Sequence, residues 1–414
     1  MHKRISVEQL RLGMYIHELG CSWMDHPFWR KTFLLDDPND LKTILATKIK
    51  LVWIDTSKGA DVDEETITEC ETEEEVNDTI ESTLALADSQ LKSTQRISLA
   101  QEAALAVQIC AKSRDAVASM FQETRMGSAL NSEEALPIVE EISNSVIRNP
   151  GALISLARLK DKDDYTYMHS VAVCALMVSL GKQLNLDDEQ IRQAGLAGLL
   201  HDVGKMMIPP EVLNKPGKLT DAEFAMVKNH PSEGHKLLLG GIGINDISLD
   251  VCLHHHEKVD GSGYPEQLAD KQISLFAKMS AVCDVYDAIT SNRPYKSGWE
   301  PAESIRKMAE WSNGHFDQRI FQAFVRSVGI YPTGSLVKLS SSRLAVVMEQ
   351  SDKSLLAPKV KVFFSTKSNC RIMPELLDLA LPGCTDKITS FEDPEKWNIP
   401  DLLELWSGLP AVHK

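Results

Sequence analysis

The pair His201-Asp202 closes one helical stretch, and its chemical partners lie far along the chain on either side: His169, His230, the run His254-His255-His256, and Asp284. Neutral imidazole nitrogen and carboxylate oxygen are the donors that iron, manganese and zinc accept. A fold that uses them together has to close several helical segments around one point. One carboxylate beside a histidine can bridge two ions while the other residues complete each coordination sphere. Two bridged metals are a recurrent device for attacking phosphate esters. The chain reads as a metal-dependent phosphohydrolase.

Its 414 residues suggest two or three domains, one of them large enough to bury such a site. A formal net charge of -15 excludes a protein that coats itself with long nucleic acid, although one pocket can still oppose the global charge. The eight cysteines contain no C-x-x-C pair, which fits reduced thiols in a cytoplasmic protein. No secretory signal is expected from Met1-His2-Lys3-Arg4. The longest apolar run, Val171 to Leu180, is about half of a membrane span.

The expected fold is mainly α, with small β-containing segments at each end. Residues 1–60 carry short apolar runs (Met14 to Ile16, Thr32 to Leu35, Lys50 to Ile54) split by turn residues, as in a small strand-containing domain. Residues 61–78 are dense in acid and read as an extended, solvated linker. Residues 79–159 read as a helical connector whose apolar stripe is Leu84, Leu91, Leu105, Ile109, Val117 and Phe121. Residues 160–330 hold the candidate chemistry on helices joined by Gly/Pro loops. Residues 331–414 read as a β-rich tail, with strands at Leu336 to Leu339, Leu344 to Met348 and Val360 to Phe364.

Within 160–330, His169 falls on a helix. Small residues at Gly195, Ala197 and Gly198 let the next helix pack closely, which buries His201-Asp202. A buried carboxylate is costly without a cation. Gly204 relaxes the chain as it leaves that helix, and Lys205 is placed to anchor phosphate. Thr220 with Glu223 forms a capping box for a helix that ends near His230, where Pro231 stops or redirects the chain. Of His254, His255 and His256, two are expected to ligate. Asp284 and Asp287 share one helical face. The first can complete a metal sphere; the second is a candidate substrate contact or orients a neighbouring ligand. Arg293 and Lys296 follow as phosphate contacts. Tyr264, in Asp260-Gly261-Ser262-Gly263-Tyr264-Pro265, either shapes a base pocket or packs the turn.

These motifs, His201-Asp202-x-Gly204-Lys205, His230, His255-His256-Glu257, Asp260 to Pro265, and Asp284-x-x-Asp287 through Lys296, resemble the HD-GYP family of HD-domain phosphohydrolases. The resemblance covers about 160–330, and residues 1–60 resemble more loosely a domain of unknown function that often precedes it. It implies an all-helical core, two or three iron or manganese ions, and hydrolysis of cyclic di-GMP or 3′,3′-cyclic GMP-AMP to a linear dinucleotide and onward to mononucleotides. The attack would come from a hydroxide shared by two ions. The implied metal ligands are His169, His201, Asp202 (bridging), His230, His255, His256 and Asp284. The implied phosphate contacts are Lys205, Arg293 and Lys296, and His254 is left structural. Three-metal members carry a glutamate one turn before the first histidine. Tyr165 stands there, so two metals are expected. The rival reading is a silent cyclic-dinucleotide receptor signalling through its flanking domains. A homodimer or a signalling-protein partner is expected on either reading.

Overall fold

The computed structural model describes residues 2–20, 32–47, 49–62, 71–88, 98–158, 165–215, 217, 219–291 and 298–410. They fall into two compact units, residues 1–83 with 309–313, and residues 84–308 with 314–414.

Strands β1 (His2–Ser6), β2 (Tyr15–Gly20), β3 (Phe33–Leu34), β4 (Leu51–Asp55) and β5 (Glu71–Thr72) form one antiparallel sheet in the order β3-β2-β4-β1-β5. Helix α1 (Pro38–Leu45) enters between β3 and β4; Asp37 caps it and Pro38 pre-sets its first turn. Ile5, Met14, Ile16, Leu35, Ile44, Val52 and Ile54 are fully buried in the core of this unit. Helix α2 (Glu73–Asp88) begins inside the acidic run. The expected linker is therefore not extended as far as Asp78. Acidic side chains such as Glu75 in a first turn are favoured by the positive end of the helix dipole.

The second unit is helical, then β. Helix α3 (Leu99–Arg125) buries Leu99, Ala103, Ala106, Cys110, Ser113, Val117, Met120 and Thr124, alternating steps of four and three along one face. The stripe expected from sequence is corrected here. Leu105 is exposed, and small residues take the inward positions because neighbouring helices approach closely; Leu91 lies outside the described residues. Helix α4 (Ser132–Arg148) follows, and its Arg148 and Ser145 hold the buried Glu102 of α3. Next come α5 (Pro150–Ala157) and α6 (Tyr165–Gln183). Every residue of α6 from Met168 to Gly181 is buried. That explains the long apolar run: it is a central core helix. Among the described residues no helix is long and apolar enough to cross a membrane.

Helix α7 (Asp188–Leu200) packs on α6. A Cβ on Gly195 would lie 2.9 Å from Val178 Cγ2, and one on Gly198 would lie 3.1 Å from the Cys174 Cα. Helices α8 (Pro210–Leu213), α9 (Asp221–Lys228), α10 (His230–Leu239), α11 (Asp246–His254) and α12 (Leu275–Thr290) complete the scaffold of the site. The Thr220–Glu223 capping box opens α9 as expected, and Pro231 sits in the first turn of a new helix. Then follow α13 (Pro301–His315) and α14 (Gln318–Val328).

Strands β6 (Leu336–Leu339), β7 (Arg343–Glu349), β8 (Lys359–Ser365), β9 (Cys370–Asp378) and β10 (Ile388–Phe391) form a second antiparallel sheet, ordered β10-β6-β7-β8-β9. A short helix, α15 (Leu402–Ser407), comes last among the described residues. The expected β-rich C-terminal segment is present and packs into the helical core. Leu336, Leu344, Val346, Phe363 and Trp406 belong to the same apolar cluster as α3, α4 and α6.

Candidate metal centre

Three histidines reach the centre by one local device. The last carbonyls of a helix have no intrahelical partner. His201, just past α7, sets its Nδ1 2.7 Å from the Gly198 carbonyl, and His230, just past α9, sets its own 2.7 Å from that of Val227. His255, just past α11, does the same with Cys252 at 3.0 Å. In each case the acceptor lies three residues back. A carbonyl only accepts, so Nδ1 carries the proton and the Nε2 lone pair faces inward.

His169 lies inside α6, where neighbouring carbonyls are already bonded within the helix. Its Nδ1 instead meets Asp287 Oδ2 of α12 at 2.6 Å, and its Nε2 faces the centre.

The inward nitrogens and carboxylates gather in two groups about Asp202. On one side stand His169 Nε2 and His201 Nε2, 3.3 and 3.4 Å from Asp202 Oδ2, with Asp284 Oδ1 3.0 Å from His169. On the other, His230 Nε2 is 3.2 Å and His255 Nε2 3.8 Å from Asp202 Oδ1. His256 Nδ1 joins this side, 3.7 Å from Asp284 Oδ2. In His169, His201 and Asp202 the candidate ligand atoms all lie within 4.8 Å of one another, and the same holds for His230, His255 and His256. All seven expected ligands are thus brought together.

The donor set fits metal on three counts. The Nε2 atoms of His230 and His255, whose Nδ1 protons are given to backbone carbonyls, face each other at 3.2 Å, lone pair to lone pair. Asp202 Oδ1 is buried without a hydrogen-bond donor, a costly state unless a cation meets it. The protonation balance points the same way. Burial disfavours charge on His169, yet Asp202, Asp284 and Asp287 together push it up to about 10. Burial resists ionisation of Asp202 too, but Lys205 and the surrounding histidines hold that carboxyl well below its ordinary range. Asp284 is likewise held low, chiefly by His169 and His256. Burial and the neighbouring histidines push His255 down to about 3 and His256 far below the ordinary histidine value. Those two rings are neutral, as ligands must be.

The remaining expected residues divide. Lys205 Nζ forms a short ion pair with Asp202 Oδ2. Asp287 is buried behind His169, which removes it from the candidate substrate contacts and leaves its other expected use, orienting a ligand. Tyr264 stacks on His256, ring centroids 4.7 Å apart, and donates its backbone N–H to the His256 carbonyl. His254 turns away to Asp250 and Glu266. The Tyr165 ring stacks on His169 at 5.9 Å. Arg293 and Lys296 lie outside the described residues.

Sequence reasoning missed two features. Buried Glu257 accepts from the backbone N–H groups of Glu266 and Leu268, pinning the chain just after the glycine-rich turn. Gly204 is required by close approach: a Cβ there would stand 1.9 Å from the His230 carbonyl oxygen. Both depend on contacts between segments that periodicity does not register.

Helices converging on a His/Asp centre of this kind define an HD-type domain suited to divalent metal. Residues 149–320 match the HD domain, and residues 2–135 match DUF3391, a domain of unknown function; the latter match runs well beyond residue 60. The chain is 53% identical over 410 residues to a cyclic di-GMP phosphodiesterase of Pseudomonas aeruginosa, covering 99% of this chain and 96% of that protein. It is also 40% identical over 148 residues to the cyclic di-GMP phosphodiesterase response regulator RpfG of Xanthomonas campestris (36% of this chain, 39% of that one). A 3′3′-cGAMP-specific phosphodiesterase of Vibrio cholerae is 35% identical over 167 residues (40% and 38%). The chain belongs to the HD-GYP family, with a DUF3391 domain ahead of its catalytic module.

Proposed function

We propose that this chain is a phosphodiesterase that opens the ring of cyclic di-GMP and carries the linear product on to mononucleotides. The observation that carries the reading is Asp202, a buried carboxylate whose two oxygens each face a separate set of inward histidine nitrogens. The near full-length likeness to a cyclic di-GMP phosphodiesterase supports this ring over cyclic GMP-AMP.

His169, His201, Asp202 and Asp284 would hold one ion, and Asp202, His230, His255 and His256 the other. Iron or manganese suits both sets. Tyr165 supplies no carboxylate for a third ion. When bound, two such ions supply a nucleophile at neutral pH and stabilise charge on the phosphoryl oxygens. Asp202, with one oxygen toward each histidine set, would be shared by both ions. Lys205, within reach of Asp202, is placed to swing to the scissile phosphate as charge builds on it. Arg293 and Lys296, by their place in the family motif, would clamp the remaining phosphate oxygens. The substrate, and a sequence without any C-x-x-C pair, agree with a cytoplasmic enzyme.

The test is anaerobic incubation of manganese- and iron-loaded protein with each cyclic dinucleotide, with Asp202→Ala alongside and products separated by chromatography. Hydrolysis of cyclic di-GMP in preference, lost in Asp202→Ala, is the expected result. Metal and ligand binding without turnover would replace the enzyme by a receptor.

A further inference from the structure

Four of the five candidate ligand rings have their outer nitrogen held by a hydrogen bond. His201, His230 and His255 use helix-end carbonyls, and His169 uses Asp287. His256 is the exception. Its Nδ1 faces Asp284, and among the described residues no hydrogen bond holds either of its ring nitrogens. A ligand imidazole has to keep its lone pair along the metal direction, which an outer partner ordinarily secures. Among the described residues three rings lie against that of His256. Those of His255 (4.1 Å between centroids) and His230 (5.0 Å) belong to candidate ligands themselves. The third, Tyr264, stacks on it at 4.7 Å with the planes 27° apart.

The glycine-rich turn is built to bring Tyr264 back to His256. A Cβ on Gly263 would stand 2.5 Å from the Glu257 Cα and the Lys258 nitrogen, so only glycine lets the turn close this tightly. Tyr264 then donates its backbone N–H to the His256 carbonyl at 3.2 Å, and the same residue receives both its backbone and its ring. The end of α13 fixes the start of the turn. Asp260 donates its N–H to the Gly314 carbonyl at 3.1 Å, and Val259 to that of His315 at 3.3 Å. Glu257 pins the chain just after the turn, and the Lys228 ammonium lies 5.2 Å from the Tyr264 ring centroid.

Resting on the two-metal reading, we infer that Tyr264 is a positioning residue for the metal centre, its ring orienting His256 in place of the hydrogen bond that the other ligands receive. Offset aromatic pairs at this separation attract one another, which restricts rotation of the histidine ring. The glycine-rich turn is the frame that carries the tyrosine, and its role precedes any contact with a substrate base. It acts on the position formed by His230, His255 and His256. The other position is left alone, because His169 and His201 have outer partners of their own.

The test titrates full-length wild type, Tyr264→Leu and Tyr264→Phe with manganese in the absence of substrate. In Tyr264→Leu one of the two metal equivalents is expected to bind about tenfold more weakly, with the other unchanged. Tyr264→Phe keeps the ring and both affinities. Two unchanged equivalents in Tyr264→Leu, as for a residue that only lines a base pocket, overturn the inference. So does a joint loss of both, or a loss in Tyr264→Phe as large as in Tyr264→Leu. Adding Tyr264→Leu to His256→Ala brings no further loss, since the ring to be oriented is gone; an undiminished further loss overturns the inference. If wild type takes up fewer than two equivalents, the two-metal reading fails on its own, and histidine-selective NMR of the metal-free chain decides. A His256 ring signal, assigned by its absence in His256→Ala, that moves in Tyr264→Leu and stays in Tyr264→Phe sustains the inference; any other pattern overturns it.

Discussion

His169 is gripped on opposite edges by two aspartates three residues apart on α12. Asp287 Oδ2 lies 2.6 Å from its Nδ1, and Asp284 Oδ1 lies 3.0 Å from its Nε2. The first contact selects the tautomer and orients the ring; the second stands where an ion would share both groups. Partners behind a metal ligand are worth about 10–100-fold in metal affinity. Asp287→Ala is therefore expected to lose metal by roughly that factor while staying folded, as checked by metal titration and circular dichroism.

Gly204 tests the close approach behind Asp202. Gly204→Ala would drive a methyl into the His230 carbonyl (1.9 Å) and the Gly234 nitrogen (2.5 Å), both backbone. The start of α10 has to move, and His230 with it. Overpacking of this kind costs about 1–3 kcal/mol. The expected outcome is a lower melting temperature together with reduced metal content, measured on the same preparation.

Away from the site, the fully buried Glu102 is held by Arg148 Nε at 2.6 Å and Ser145 Oγ at 2.6 Å. Removing Arg148 strands the carboxylate, and breaking such a pair costs about 3–5 kcal/mol. Because the Arg148 side chain is 35% exposed, Arg148→Met is expected near the lower end of that range. Adding Glu102→Gln to it should recover part of the loss in urea melts. A double variant less stable than Arg148→Met alone would contradict this account.

Asp386 provides the pH dependence. Burial raises its pKa, but Ser341, Ser340 and Arg343 outweigh that and lower it from 3.8 to about 2. The group is depressed in the folded state, so its stabilisation is present above about pH 4 and is lost as pH falls through about 2. With Arg343 partly exposed and screened, the contribution is about 1–2 kcal/mol. Asp386→Asn should be less stable than wild type by that amount at pH 7, and the gap should narrow by pH 3 in urea melts.

Much of the centre was legible because its ligands are chemically conspicuous and three of them are positioned locally. His201, His230 and His255 each follow a helix end and use the carbonyl three residues back. The helix around His169 was legible as a helical stretch, and strands β2, β4, β6, β7 and β8 from their short apolar, β-branched runs. The stripe on α3 was not. Leu105 is apolar yet faces outward, while Ala103, Ala106 and Ser113 face inward, because side-chain volume at a helix contact is set by the neighbour. Strand β9 shows exposed Met373 and Leu376 and a central Pro374, so no alternation marks it.

By itself, then, the sequence determined which donors exist, which helices carry them, and which rings are oriented by their own backbone. Those are properties of residues within three or four positions of each other. Only the tertiary structure decided that Asp202 faces two histidine sets, that Asp287 serves His169 across 118 positions, and that Lys228 meets Tyr264. Each of those is a contact between segments distant along the chain, brought together only when the helices and loops pack.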